Sequence, residues 1–317
     1  MPTAMPPPTL LAVPNVSEGR DEATIAAIGA AFAGGSAIGG EAGHGPVGGR
    51  AREHHAGSVR LLDTHSDEDH HRTVFTLTGP PGALGDALLR GAHAAVERID
   101  IGDGRGAHPH VGAIDVVPVV YLDDGARGAA CAEALVVADR IGEELQVPVF
   151  LYGALAGGRA RAELRRGGTA RLAERMRSGE LQSDFGPSEP HPAAGATLIA
   201  AREPLVAFNL QLAAPARIED ARRIAALIRE GGVEGLPGLR AIGVGLSGGV
   251  AQVSMNVERP SEVPLARVVA AVRWHAEVAS GELVGLAPRV ALEGFPEDVL
   301  LPGFDPARHV IENAIGC

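Results

Sequence analysis

The chain has 317 residues, 45% of them apolar, which is enough to bury the cores of two domains or of one large one. Only 3% are aromatic, so packing falls to Ala, Val, Leu and Ile. The formal net charge of −11 excludes a general nucleic-acid or anionic-membrane binder, since both need a basic face, and leaves room for a locally basic pocket that takes a small anion.

Residues 1–9 are Pro-rich, with neither the basic start nor the long apolar run of a signal peptide. A strand is predicted over 10–14 and an amphipathic helix over 21–32. Residues 34–57 are rich in Gly, Ala and His without a period and read as an inserted loop. Strands follow over 59–64 and 73–78. The helix over 81–99 carries Leu84, Leu88, Ala92, Ala95 and Ile99 at helical spacing, with Pro81 suited to its first turn. A strand over 115–122, a helix over 127–145, a strand over 148–152 and two short helices within 159–179 lead to a turn-rich segment at 183–195. The pattern then restarts with a strand (205–210), a helix (215–229), strands (241–246, 251–257), a helix (264–279), a strand (283–286) and a last helix (305–314). This interleaving predicts an α+β or α/β protein of two subdomains, each a mixed β-sheet with helices packed on it. The boundary falls between 1–203, which contains the 34–57 insertion, and 204–317, with a ligand cleft between the two. No run is apolar enough to span a membrane, so a cytoplasmic protein is expected. Cys131 and Cys317 form neither a metal spacing nor a disulfide framework.

Four segments carry candidate chemistry. Val13-Pro14-Asn15-Val16-Ser17-Glu18-Gly19-Arg20 is a strand end running into a polar turn, which also reads as simple helix capping. Asp63-Thr64-His65-Ser66-Asp67-Glu68-Asp69-His70-His71-Arg72 mixes acids and histidines. Its spacing fits no zinc signature, so it reads as a hairpin loop in which Arg72 opens a strand and is free to fork onto a carboxylate; no metal is expected. Arg105-Gly106-Ala107-His108-Pro109-His110 delivers a titratable imidazole on a stiffened, Gly-rich loop just before a strand, the usual presentation of a general acid/base. His108 leads there, with His110 a second candidate and Arg105 a candidate anion contact. The fourth is the irregular loop Asp184-Phe185-Gly186-Pro187-Ser188-Glu189-Pro190-His191-Pro192-Ala193-Ala194-Gly195.

In this order these segments resemble the formiminotransferase domain of the glutamate formimidoyltransferases. So do Pro148-Val149-Phe150-Leu151-Tyr152-Gly153, Ala207-Phe208-Asn209, Ala251-Gln252-Val253-Ser254-Met255-Asn256 and Glu282-Leu283-Val284-Gly285-Leu286-Ala287-Pro288. The resemblance covers nearly the whole chain. It implies movement of a formimidoyl group from N-formimidoyl-L-glutamate to tetrahydrofolate as co-substrate, within histidine degradation and one-carbon metabolism, by a homodimer. It implies the form without a cyclodeaminase domain. His108 falls on the family's catalytic histidine, and Gly186 to Gly195 on its folate-binding stretch. The donor's carboxylates call for cations, for which Arg72 and Arg105 are candidates. Glu18, Asp63 and Asp115 are candidates to face the cationic amidine, and Asn15 and His110 complete the expected substrate contacts. Relatives carry Lys-Gly-Glu-His-Pro-Arg at the central loop, where this chain has Ala107 for the acid and His110 for the arginine. Those departures keep two alternatives open: a transferase of the same fold using another donor such as N-formylglutamate, and a non-catalytic folate-binding protein.

Overall fold

The computed structural model describes residues 8–34, 58–103 and 110–316; Arg105, His108 and the insertion from residue 35 onward lie outside the described residues. The first sheet has seven strands: β1 (Leu10–Ala12), β2 (Asn15–Val16), β3 (Arg60–Asp67), β4 (Arg72–Gly79), β5 (Ile114–Val120), β6 (Val149–Leu151) and β7 (Thr197–Arg202). β1 and β2 both lie between β4 and β5 and run antiparallel to each. β3 closes one edge on β4, while β7 runs parallel to both β5 and β6.

One face of this sheet is covered by α1 (Glu22–Phe32), α2 (Ala83–Arg98) and α3 (Arg127–Glu144), which bury Val117, Val119, Ile199 and Ala201. Asp21 caps α1, its carboxylate accepting the Ala23 N–H at 3.0 Å. α2 begins at Ala83, two residues after Pro81, and its cap comes from another helix. The buried Glu133 of α3 accepts the N–H groups of Gly82 (2.8 Å) and Gly85 (2.6 Å), placing an anion at the positive end of α2. The other face carries α4 (Arg161–Leu164) and α5 (Gly168–Arg177), whose Leu164, Leu172 and Met176 pack on Val116, Phe150 and Leu198.

The second sheet has the order β11-β8-β10-β9, antiparallel throughout, from β8 (Val206–Leu212), β9 (Leu239–Gly245), β10 (Ala251–Val257) and β11 (Val278–Val284). Strand alternation sorts its residues cleanly. Phe208, Leu210, Val253 and Met255 join the core with α6 (Ile218–Ile228) and α7 (Leu265–Arg273). Asn209, Gln211, Gln252, Ser254 and Asn256 form the opposite, polar face. Two short helices, α8 (Pro306–His309) and α9 (Ile311–Ile315), cross back to the first sheet. Ile311 packs with Leu11, Val120 and Leu286, and Arg60 Nη2 donates to the Ala314 carbonyl at 3.0 Å.

Three differences from the sequence reading matter. β7 was not anticipated: Thr197 to Ala201 is an apolar run buried on both faces, without the alternation that marks a half-exposed strand. The helix predicted over 264–279 ends at Arg273, and β11 takes up 278–284 where a strand over 283–286 was expected, because no Gly or Pro punctuates the junction. The acidic and histidine-rich segment is mostly strand, its turn confined to residues 68–71.

Candidate functional site

The two sheets face each other across a cavity of about 820 Å³. One wall is the part of the first sheet beside α4, with the arginines of that segment, and the other is the polar face of the second. Asn15 and Arg72 line the cavity, and Arg72 reaches the buried Asp115 behind the wall, because β2 pairs with both β4 and β5, setting Asn15 opposite Val74 and Val116. Asp115 is 1% exposed. Its Oδ1 accepts the Val111 N–H at 2.9 Å, and its Oδ2 accepts from Arg72 Nη1 at 3.2 Å and from Arg165 Nη2. Arg72 also donates from Nε to Asn15 Oδ1 at 2.7 Å, while Asn15 Nδ2 holds the Val13 carbonyl at 2.7 Å. Burial pushes the Arg72 guanidinium down to about 9, with Asp115 opposing that shift, so it stays charged at neutral pH. Two arginines on one carboxylate leave the cluster with a net positive charge, which suits a carboxylate ligand.

Asp115 also links this cluster to the central loop, since Val111 lies two residues beyond Pro109. Residues on either side of 104–109 are held by the segment between α5 and β7: Ile101 N–H donates to the Ala193 carbonyl and Ala113 N–H to the Ala194 carbonyl, both at 2.9 Å. Gly112 pairs with Gly195, and a Cβ on Gly112 would stand 1.9 Å from the Ala196 carbonyl oxygen. His191 Nδ1 accepts the Ala194 N–H at 2.9 Å, shaping the same turn. Gly186 instead packs against Gly142 at the far end of α3. The segment Gly186 to Gly195 thus borders the central loop without lining the cavity.

The remaining candidates divide. Glu18 does not line the cavity: its Oε1 accepts the N–H groups of Gly19 (2.9 Å), Arg20 (2.7 Å) and Asp21 (3.0 Å), which makes it the organiser of its own turn. His110 is half-buried beside Val111. His65, which does line the cavity, reaches across to the second sheet, its Nε2 3.1 Å from Glu282 Oε1, while Glu282 Oε2 accepts from Asn209 Nδ2 at 2.8 Å. Burial alone would lower the His65 imidazole, but the hydrogen bond and charge of Glu282, aided by Asp63 and Asp67, raise it above its ordinary value. The same bond, with Asn209 adding, holds the Glu282 carboxyl below its ordinary value against the effect of burial. Asp67 Oδ2 lies 2.9 Å from His70 Nδ1, and Asp69 accepts the Ser247 N–H at 3.2 Å, a second tie between the sheets. Among the described residues no cluster of His, Cys, Asp or Glu is arranged to hold a metal ion, and no helix is long and apolar enough to cross a membrane.

Sequence reasoning missed most of the positive charge. Arg161, Arg165, Arg166 and Arg202 line the cavity beside Arg72 on a protein that is acidic overall. The i, i+4 spacing of Arg161 and Arg165 on a short helix was an available signal. Arg202 lay hidden at the end of the unanticipated β7.

A two-sheet α+β protein with a cationic cleft at the junction is the class that fold and site define. Residues 9–202 match the formiminotransferase domain, N-terminal subdomain. The chain is 36% identical over 265 residues to the glutamate formimidoyltransferase of Streptococcus pyogenes serotype M1, covering 80% of this chain and 88% of that one. It is 32% identical over 307 residues to the glutamate formimidoyltransferase of Thermoplasma acidophilum, covering 92% and 93%. It is also 35% identical over 298 residues to the formimidoyltransferase-cyclodeaminase of Mus musculus, where it spans 88% of its own length and 50% of the relative's. The chain belongs to the formiminotransferase family.

Proposed function

We propose that the protein is a glutamate formimidoyltransferase, moving the formimidoyl group of N-formimidoyl-L-glutamate to N5 of tetrahydrofolate. The observation that supports this best is the buried Asp115 cluster, which presents two arginines to the cleft while gripping the backbone just after the His108 loop. A cavity of about 820 Å³ suits a folate-sized ligand.

Attack of N5 on the amidine carbon forms a tetrahedral adduct and requires N5 to lose a proton. Collapse breaks the bond to the glutamate nitrogen, which must gain one. His108 serves as base in the first step and acid in the second, a role worth roughly 10²–10⁴-fold. Arg72 and Arg165 take the donor's carboxylates, with Arg105 a further cation from the loop itself. Asp115 and Glu18 act by positioning, since protein N–H groups hold both oxygens of Asp115 and the Oε1 of Glu18. The segment Gly186 to Gly195 contributes to the folate site by supporting the central loop. We further propose subdomains at 1–203 and 204–317, a homodimeric assembly and a cytoplasmic location.

The test is a steady-state assay with tetrahydrofolate and N-formimidoyl-L-glutamate for wild type and His108→Asn, with N-formylglutamate as a comparison donor. The expected result is turnover of the formimidoyl donor and a loss of at least about 100-fold in the variant. Absence of wild-type turnover with bound folate, or preference for the formyl donor, overturns the proposal.

A further inference from the structure

The three most exposed large apolar side chains among the described residues are Val233 at 92%, Trp274 at 83% and Leu300 at 67%. None of them lines the cleft. They are far apart in sequence, yet two ion pairs draw their segments together at the end of α7. His275 Nε2 lies 2.7 Å from Glu234 Oε2, tying the residue after Trp274 to the residue after Val233. Arg273 donates to both carboxylate oxygens of Asp298, at 3.1 and 2.8 Å, which brings the residue before Trp274 to a point two positions from Leu300.

Each of the three is held out by fixed backbone. The Trp274 N–H donates to the Ala270 carbonyl at 3.1 Å as α7 ends, and the Leu300 carbonyl accepts the Gly281 N–H of β11 at 2.8 Å. Val233 sits between two residues tied to the end of α6: the Gly232 N–H donates to the Arg229 carbonyl at 2.8 Å and the Glu234 N–H to the Leu227 carbonyl at 3.1 Å. Side chains presented on ordered backbone lose little freedom when a partner covers them, so docking them costs little. Trp274 is also the one tryptophan of the chain, and tryptophan is enriched among the residues that anchor interfaces.

We propose that Trp274, Val233 and Leu300 form the face through which two copies of this chain pair about a twofold axis. Size and charge both favour a second copy as the occupant. The three side chains present about 400 Å² of apolar surface. That is most of the apolar area one partner brings to a stable interface of about 800 Å² per side. The net charge of −11 opposes self-association over the surface at large. Here, however, Glu234 is met by His275 and Asp298 by Arg273, so these acids enter the contact already paired. A twofold contact needs a face that complements itself, and an apolar centre flanked by internally paired charges does so. The inference rests on the proposed homodimer and not on the proposed reaction.

Light scattering and acrylamide quenching of tryptophan fluorescence, both on the full chain over a dilution series, separate the assembly from its face. With one tryptophan present, all indole emission reports this patch. The expected result is a particle of dimer mass in which Trp274 is shielded from the quencher. Dilution to monomer mass should open it to quenching and shift its emission to the red. Trp274→Glu is expected to weaken the dimer at least about 30-fold, the loss of an interface hot spot. Val233→Glu keeps the fluorophore and should leave Trp274 open to the quencher at concentrations where the wild type is dimeric. Leu300→Glu should act in the same direction, and circular dichroism of all three variants should stay native because the replaced side chains lie outside the core. A dimer in which Trp274 stays open to the quencher, or one that survives Trp274→Glu and Val233→Glu unweakened, overturns this face and leaves the homodimer standing. Monomer mass at every concentration overturns both. Shielding of Trp274 in a particle of monomer mass assigns the patch to another part of the same chain, which overturns the pairing as well.

Discussion

Replacing Asp115 with Ala is the most demanding perturbation of the site, because one carboxylate serves three donors. At 1% exposure it holds Arg72 and Arg165, themselves 14% and 11% exposed, together with the Val111 N–H. Its removal leaves two buried cations and an orphaned amide. Breaking a buried pair by deleting one partner costs about 3–5 kcal/mol. For a cooperative unit of 150–250 residues, each kcal/mol moves the melting temperature by about 2–4 °C, so the expected fall is on the order of 10 °C. Calorimetry of Asp115→Ala, Arg165→Ala and the double variant supplies a thermodynamic cycle. The double variant should be more stable than the sum of the single effects predicts by at least about 1 kcal/mol, because removing Arg165 withdraws one of the two stranded charges. A cost below about 1 kcal/mol for Asp115→Ala, or strict additivity, refutes the reading of Asp115 as the anchor of the arginine pair.

Three further outcomes are expected. The His65–Glu282 contact should stabilise in a pH window. His65, raised above its ordinary 6.5, contributes fully below that value and loses the contribution as pH rises through its folded-state pKa. Glu282, held below 4.5, contributes above that value and loses it as pH falls through its own folded-state pKa. The melting-temperature gap between wild type and His65→Ala should thus peak between the two and close in alkali; since both side chains are partly exposed, its size is about 1 kcal/mol or less, and a flat gap contradicts the contact. Gly112→Ala drives a methyl into the Ala196 carbonyl and should abolish transfer by displacing the base of the central loop, while amide exchange in the second sheet stays native. Glu18→Ala removes an acceptor shared by three N–H groups and should cost about 1–2 kcal/mol in denaturant unfolding, with a smaller effect on KM than Arg72→Ala.

Much of the fold was legible because its helices advertise their periods. α2 and α3 fall within two residues of their predicted bounds. β7 was not legible, since a strand buried on both faces reads as an undivided apolar run, and this one emerges from a turn-rich loop. The site was legible residue by residue but not as an assembly. Asn15, Arg72 and Asp115 each carried a signal, yet nothing in their spacing says that β2 inserts between β4 and β5. The role weighed for Asp115 shows the same limit: a carboxylate offered to a cationic ligand and one enclosed by two arginines look alike in sequence. The positive charge went unread for a related reason, because α4 points its arginines into the cleft only once it packs on the first sheet.

The return of residues 306–315 to the first sheet has a kinetic consequence. Arg60 and Ala314 are 254 positions apart, and Leu11 and Val120 share their cover with Ile311. A contact of that sequence span closes a very long loop, which makes it a late event. The first sheet therefore completes its burial only after the second has been synthesised and docked. Until then it exposes apolar surface around β1 and β5, and the two halves mature as one folding unit instead of in succession.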